Sequence, residues 1–297
     1  MANPKLQQLS EHVYCLPGGV NSAIVVNEGE ALIVDSGQNK AAGVALRKAC
    51  TSLGVNPVSI INSHAHADHY GGNAYLCQYY PHIRVYAPAF EAQIMQAPSL
   101  EPVYLFSGAK PLEEMMTSWL HAPTSEVHQL LETGTQEFIG LPVEIIACPG
   151  HAHQQCAVYV DGVLLAADAL FGSAVLEKYP LPFGQDIGAQ LSSAENLRRL
   201  QPQCTLPGHG DSSDDLPTLI DANLASIKQA ASHIAAACQN CDSATVLQRS
   251  CNSLGISLQD IPRYYLNYCT VMAYLSYLRE QGEINVRIDN NTLLWEH

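Results

Sequence analysis

An apolar strand that runs without a break into four metal-ligand side chains constrains this chain more than any other feature. Val58–Asn62 reads as a short strand, and His64-Ala65-His66-Ala67-Asp68-His69 follows it directly. Imidazole and carboxylate are the ligands that suit Zn or Fe. On an irregular loop, side chains at these offsets can converge on two adjacent points. The chain has 12 histidines in 297 residues, so three of them in six positions is a concentrated signal. A polar loop whose histidines only hydrogen-bond locally is the plainer alternative.

Three further candidates decide between the two readings, because each also closes an apolar strand. His151 follows Val143–Cys148 through Pro149-Gly150, Asp168 ends Val163–Ala166 and its extension, and His209 follows Gln203–Leu206 through Pro207-Gly208. Strand ends along one edge of a sheet are where a site assembles. A buried Asp at such an end is costly unless it is paired or holds a cation. Seven ligands is the number for two metals.

The spacing of strands and helices supplies the architecture. Ser22–Asn27 and Ala31–Asp35 read as a hairpin, Asn39–Leu53 and Gly72–Tyr80 as helices, and Ile83–Ala87 as a strand. The plan recurs in Val143–Cys148, in a hairpin of Cys156–Val160 and Val163–Ala166 over Asp161-Gly162, in a helix Gly188–Leu200, and in the strand before His209. Two such halves predict an α/β protein of four layers, αββα, with two sheets face to face and helices outside. The expected catalytic domain spans residues 1–212, with an insertion at 97–131 rich in Pro, Met and aromatics that reads equally as packed helix or as a lid. Residues 213–297 read as a C-terminal helical module. It has helices at Pro217–Ala237, Ser243–Ser250, Leu258–Ile261 and Arg263–Gln281, then a hairpin of Glu283–Ile288 and Thr292–Trp295. Helices followed by a hairpin give it a winged-helix-like outline.

Charge then limits what the protein can bind. Lys+Arg number 14 against 28 Asp+Glu, a net charge of -14, and pairs such as Arg198-Arg199 stand isolated rather than in a basic cluster. A polyanion is repelled by such a field, so nucleic acid and anionic membrane are excluded as partners and the C-terminal module is expected to serve packing or homodimer formation. No stretch approaches the ~18 uncharged apolar residues of a membrane helix. Met1–Ser10 lacks the apolar core of a secretory signal, so the expected location is cytoplasmic. The ten cysteines sit mostly in apolar runs and read as reduced, with the single Cys238-x-x-Cys241 short of two ligands for a zinc site.

The string His64–His69, the upstream Leu32-Ile33-Val34-Asp35-Ser36-Gly37, Pro149-Gly150-His151, Asp168 and Pro207-Gly208-His209-Gly210, in this order, resemble the metallo-β-lactamase-fold hydrolase superfamily over roughly Glu11–Asp211. The pattern is most similar to the hydroxyacylglutathione hydrolase, or glyoxalase-like, branch. The resemblance implies His64, His66 and His151 on a first metal, Asp68, His69 and His209 on a second, and Asp168 bridging, with Asp35 supporting the ligand loop. It further implies two Zn2+, with Fe or Mn as alternatives. A metal-bridging hydroxide would attack a small-molecule ester, thioester, lactone or similar acyl substrate, and the catalytic Asp68 would orient it and relay a proton. The alternative is a mononuclear iron oxidoreductase of the persulfide dioxygenase type, followed by a phosphodiesterase or nuclease, which the charge disfavours.

Two departures qualify the likeness. The residues after His151 are Ala152-His153-Gln154, so His153 is a candidate for contact with a ligand or substrate, as Tyr179 and Phe183 are for the pocket wall. The C-terminal region lacks a cluster of cations for the glutathione carboxylates, which puts a glutathione thioester in doubt.

Overall fold

The computed structural model describes residues 6–297; the first five positions of the expected catalytic domain, and of the stretch read as lacking a signal, lie outside them. The chain opens with strands β1 (Gln7–Gln8), β2 (Val13–Leu16), β3 (Ser22–Asn27) and β4 (Glu30–Val34), paired antiparallel in sequence. Helix α1 (Lys40–Leu53) carries the chain back so that β5 (Asn56–Ile61) lies parallel to β4. Its start is set by Asn39, whose side chain accepts from the N–H groups of Ala41 and Ala42, and its end by Gly54 at φ 70°. Short helices α2 (Ala67–Tyr70) and α3 (Asn73–Tyr79) return the chain to β6 (Arg84–Ala87), again parallel.

The insertion follows. It holds α4 (Ala89–Gln96) at its approach, α5 (Leu100–Leu105), a 3₁₀ turn at Glu113–Met115 and otherwise irregular chain, and it ends as β7 (Gln129–Leu130) on the edge of the first sheet. A second sheet is built from β8 (Gly134–Phe138), β9 (Leu141–Ala147), β10 (Cys156–Val160), β11 (Val163–Ala167) and, after α6 (Ser173–Lys178) and α7 (Ile187–Leu197), β12 (Cys204–Pro207), parallel to β11.

Alternation along the strands assembles the layers. Leu32 and Val34 of β4 face the second sheet and meet Val143, Ile145, Val158 and Leu165 between the sheets. Ala31 and Ile33 point the other way, onto Leu46 and Cys50 of α1 and Leu76 of α3. On the far side, Ala157, Leu164 and Ala166 pack against α7 and the C-terminal helices. The four layers are αββα, as the strand and helix spacing predicts.

The C-terminal segment runs α8 (Leu216–Ala237), β13 (Gln239–Cys241), α9 (Ser243–Leu254), α10 (Ile261–Glu280), β14 (Asn285–Asp289) and β15 (Thr292–Glu296), with the small sheet ordered β13-β15-β14. Helix, strand, two helices and a hairpin is the element order of a winged helix. Leu258–Ile261 is not a separate helical piece, contrary to expectation: Ile261 is already the first residue of α10. The apolar spacing there resembles a turn of helix, but Asp260 accepts the Arg263 N–H as the cap of α10, with Pro262 in the first turn, so the residues before Ile261 are not helical. Among the described residues no helix is long and apolar enough to cross a membrane.

Tyr274 lies at the centre of this segment, fully buried, with its hydroxyl unpaired. Tyr274→Phe is therefore expected to stabilise the protein by about 1 kcal/mol, roughly 2 °C in Tm. A thermal melt that falls instead would mean the hydroxyl has a partner.

Candidate metal centre

The parallel pairs β4–β5 and β11–β12 bring strand ends to one edge of the sandwich, and the seven predicted residues sit on the segments that leave it, Asp68 and His69 in the short helix α2 and the rest on loops. His64, His66 and His151 form one group whose ligand atoms lie within 4.8 Å of one another, and Asp68, His69 and His209 form another. Asp168 lies between them. Its Oδ2 is 3.2 Å from His151 Nε2 and 3.4 Å from His209 Nε2, and its Oδ1 is 3.3 Å from His69 Nε2.

Four of the histidines are aimed by a bond on the far side of the ring. Asp35 accepts the Ser63 N–H at 2.8 Å and the Ser63 O–H at 2.8 Å, so the Ser63 oxygen is left to accept from His64 Nδ1 at 2.9 Å. Asp35 also accepts from His69 Nδ1 at 2.8 Å. His151 Nδ1 donates to the Phe183 carbonyl at 3.0 Å and His209 Nδ1 to the Gly19 carbonyl at 2.7 Å. With Nδ1 engaged on the far side, all four rings turn Nε2 toward the centre. Glu91 clamps the loop from below, accepting the Ala65 and Gln154 N–H groups at 2.9 Å each.

Glycines let the chain come this close. A Cβ at Gly208 would collide with Asp168 Oδ1, and Gly150, at φ 132°, would collide with the Gln190 backbone.

The donor set fits cations. Four N or O ligands around zinc at 2.0–2.1 Å stand about 3.3 Å apart, which is the spacing of Asp168 from its three histidines. His69 Nε2 and Asp168 Oδ1 are buried and 3.3 Å apart, yet neither makes a hydrogen bond. A cation held between them would give both atoms a partner.

Electrostatics separates the histidines. Burial, with His69 and His66 beside it, holds His64 well below its ordinary value, and burial beside His151 takes His66 down to about 3. Both are neutral and ready to ligate. Burial opposes a charge on His69 and His209 as well, but the facing carboxylates win. Asp168, Asp35 and Asp68 hold His69 well above its ordinary value, and Asp168 and Asp68 bring His209 up to about 10. Burial likewise opposes ionised Asp168, and His209, His69 and His151 nevertheless keep its carboxyl well below the usual range.

In the metal-free chain, protonated His209 therefore contributes stability that is fully present below its unfolded value near 6.5 and lost as pH rises through about 10. The Tm of chelator-treated protein is expected to fall between pH 6.5 and 10, and metal-loaded protein to lose less over the same range. A rise in the metal-free Tm across that interval would contradict this.

The remaining predicted residues line a cavity of about 1050 Å3 over the centre, or stand apart from it. Phe183 lines it, its ring centroid 5.3 Å from that of His66 and 5.4 Å from that of His151. Tyr179 is half exposed at its rim, under Lys178. His153 is exposed and packs edge-on against Phe90, 4.8 Å between centroids, away from the ligand histidines. His153→Ala is expected to keep its metal and its activity within about 2-fold; a drop in metal content would give the residue a role at the centre. The cysteines stand as free thiols, and the Cys241 sulfur accepts from Arg249. Ser63, Glu91, the Gly19 and Phe183 carbonyls and Glu101 also belong to the site, although no sequence feature singles them out.

Comparison with known proteins agrees with this geometry. Hydroxyacylglutathione hydrolases of Xanthomonas campestris pv. campestris (strain B100) and Aeromonas hydrophila are each 30% identical, over 149 and 151 residues. Those stretches are 50% of this chain but only 45% and 46% of the relatives' length, so the chain matches less than half of each. A metallo-β-lactamase family protein from Thermus thermophilus superposes with a TM-score of 0.75 at 22% identity, over 98% of this chain and 100% of its own. A β-lactamase domain protein from Burkholderia ambifaria does so with 0.75 at 18%, over 100% and 94%. These two share the fold, C-terminal segment included. The profile of the metallo-beta-lactamase superfamily matches residues 15–209, from β2 to the last histidine of the centre, and the chain belongs to that superfamily.

Proposed function

We infer that this protein is a dinuclear zinc hydrolase of small acyl substrates: esters, thioesters or lactones. The observation that carries the reading is Asp168 Oδ2, at 3.2 Å from a histidine of one ligand group and 3.4 Å from a histidine of the other. A carboxylate so placed could serve two cations together. His64, His66 and His151 would hold the first, Asp68, His69 and His209 the second, with Asp168 shared. Bound there, the metals supply a Lewis acid for the carbonyl oxygen and lower the pKa of a bound water from 15.7 to about 7.

The chain's own groups do the rest. The Asp68 carboxyl is 3.4 Å from His209 Nε2 and lines the cavity. Burial disfavours its charge, but His69 and His209 keep it below the usual range. It is an acceptor that can orient a water and pass a proton to the leaving group. Phe183 and Phe171 cover the histidines and exclude solvent from that side. The relatives' name supports an acyl thioester as the substrate class. The test is turnover by zinc-loaded protein of paired thioester, ester, lactone and phosphodiester panels. The reading expects acyl substrates to lead, with loss of turnover on chelation and recovery on adding zinc; phosphodiester turnover alone would refute it.

A further inference from the structure

Glu101, on α5 of the insertion, is a carboxyl with nothing to hold it. It is 3% exposed and lines the cavity together with His66 and Asp68. Among the described residues no basic group pairs with it, and it makes no hydrogen bond; only burial and two like charges act on it. Glu91, equally buried nearby, has a backbone N–H on each oxygen. A buried carboxyl of this kind is stable only when neutral or when a ligand supplies the missing partner. Burial, with Asp68 and Glu91 behind it, holds Glu101 well above the ordinary carboxylate range, so the free pocket keeps it neutral.

The same neighbours define the complement. Among side chains, the charges that reach this point are Asp68 and Glu91, and the chain as a whole carries -14, so the protein's own field at Glu101 favours a cation over an anion. The Lys and Arg side chains on the cavity wall are engaged elsewhere, Arg263 with Asp260 at 2.7 Å and Lys178 over the Tyr179 ring. The cavity that Glu101 lines also carries the apolar side chains of Trp119, Leu120, Leu176, Phe183, Ile256 and Leu266, contributed by the insertion, by α6 and the segment after it, and by the C-terminal segment.

We propose that Glu101 is the specificity-determining residue of this cavity, its carboxylate receiving a protonated amine carried on the apolar body of the acyl substrate. This rests on the acyl-hydrolase reading and deepens it by naming the substrate class as cationic and apolar.

Binding tests it without turnover. Protein as purified is titrated calorimetrically with N,N-dimethylhexylammonium and with 1-hexanol, and Trp119, on the cavity wall, gives a fluorescence readout. The ammonium is expected to bind at least ~10-fold tighter than the alcohol, as charge-assisted bonds do. In Glu101→Gln and in Glu101→Leu the preference should shrink to about 2-fold, with Tm unchanged or raised. Equal binding of the two probes by the wild type overturns the proposal without any variant. A preference that survives both substitutions also overturns it, since the amine would then bind elsewhere, at the metals for example. Ammonium preference without hydrolysis of any acyl panel would separate failure of the reaction assignment from failure of this one.

Discussion

Asp168→Ala is expected to leave a folded protein that holds at most one metal per chain and has lost turnover by about 10^3-fold or more, the several kcal/mol a metal centre contributes to a transition state. Three histidine nitrogens at 3.2–3.4 Å lose the carboxylate they share at once. Metal analysis and kinetics on the same preparation read both effects. Two metals with full activity in this variant would remove the basis of the bridging assignment.

Asp35→Ala should be nearly as severe although Asp35 touches no metal position. It holds Ser63 twice and His69 once, and through Ser63 it fixes the tautomer of His64. Its removal leaves buried donors unpaired, at about 1–3 kcal/mol each, and frees two ligand rings to rotate. Loss of a supporting partner of this kind typically lowers metal affinity or activity about 10–100-fold, and two rings are affected here. Asp35→Asn keeps the shape and should recover part of the stability, but its amide must turn one N–H toward a donor and should not recover the metal affinity. Metal competition with a chromophoric chelator separates the two variants. Equal affinity in Asp35→Ala and wild type would show the rings to be held by packing alone.

What could be read from the residues, and what could not, follows from where the information resides. His64, His66, Asp68, His69, His151, Asp168 and His209 announce themselves because ligand-type side chains close apolar strands, and parallel strands must end on one edge. Asp35 is legible only through the family resemblance, which implies its support of the ligand loop. The groups that orient the rings are different in kind. The Gly19 and Phe183 carbonyls accept from His209 and His151 as backbone, and a backbone acceptor has no residue signature. Glu101 comes from the insertion at 97–131, whose composition reads as packed helix or lid without telling which carboxyl faces inward, and Glu91 lies just ahead of it on α4. His153, two positions from a ligand, is an example of proximity in sequence misleading: the turn after Gly150 points it at Phe90 instead. At Leu258–Ile261 apolar spacing suggests a helix of its own, and the capping signal of Asp260 with Pro262 outweighs it.

The central claim is a centre built for two metals, and the most direct test is the metal content of the full chain purified without added metal or chelator. The proposed dinuclear zinc hydrolase should carry close to two zinc ions per chain, falling to one or none in Asp168→Ala. One iron per chain, with thiol-dependent oxygen uptake in place of hydrolysis, would contradict it.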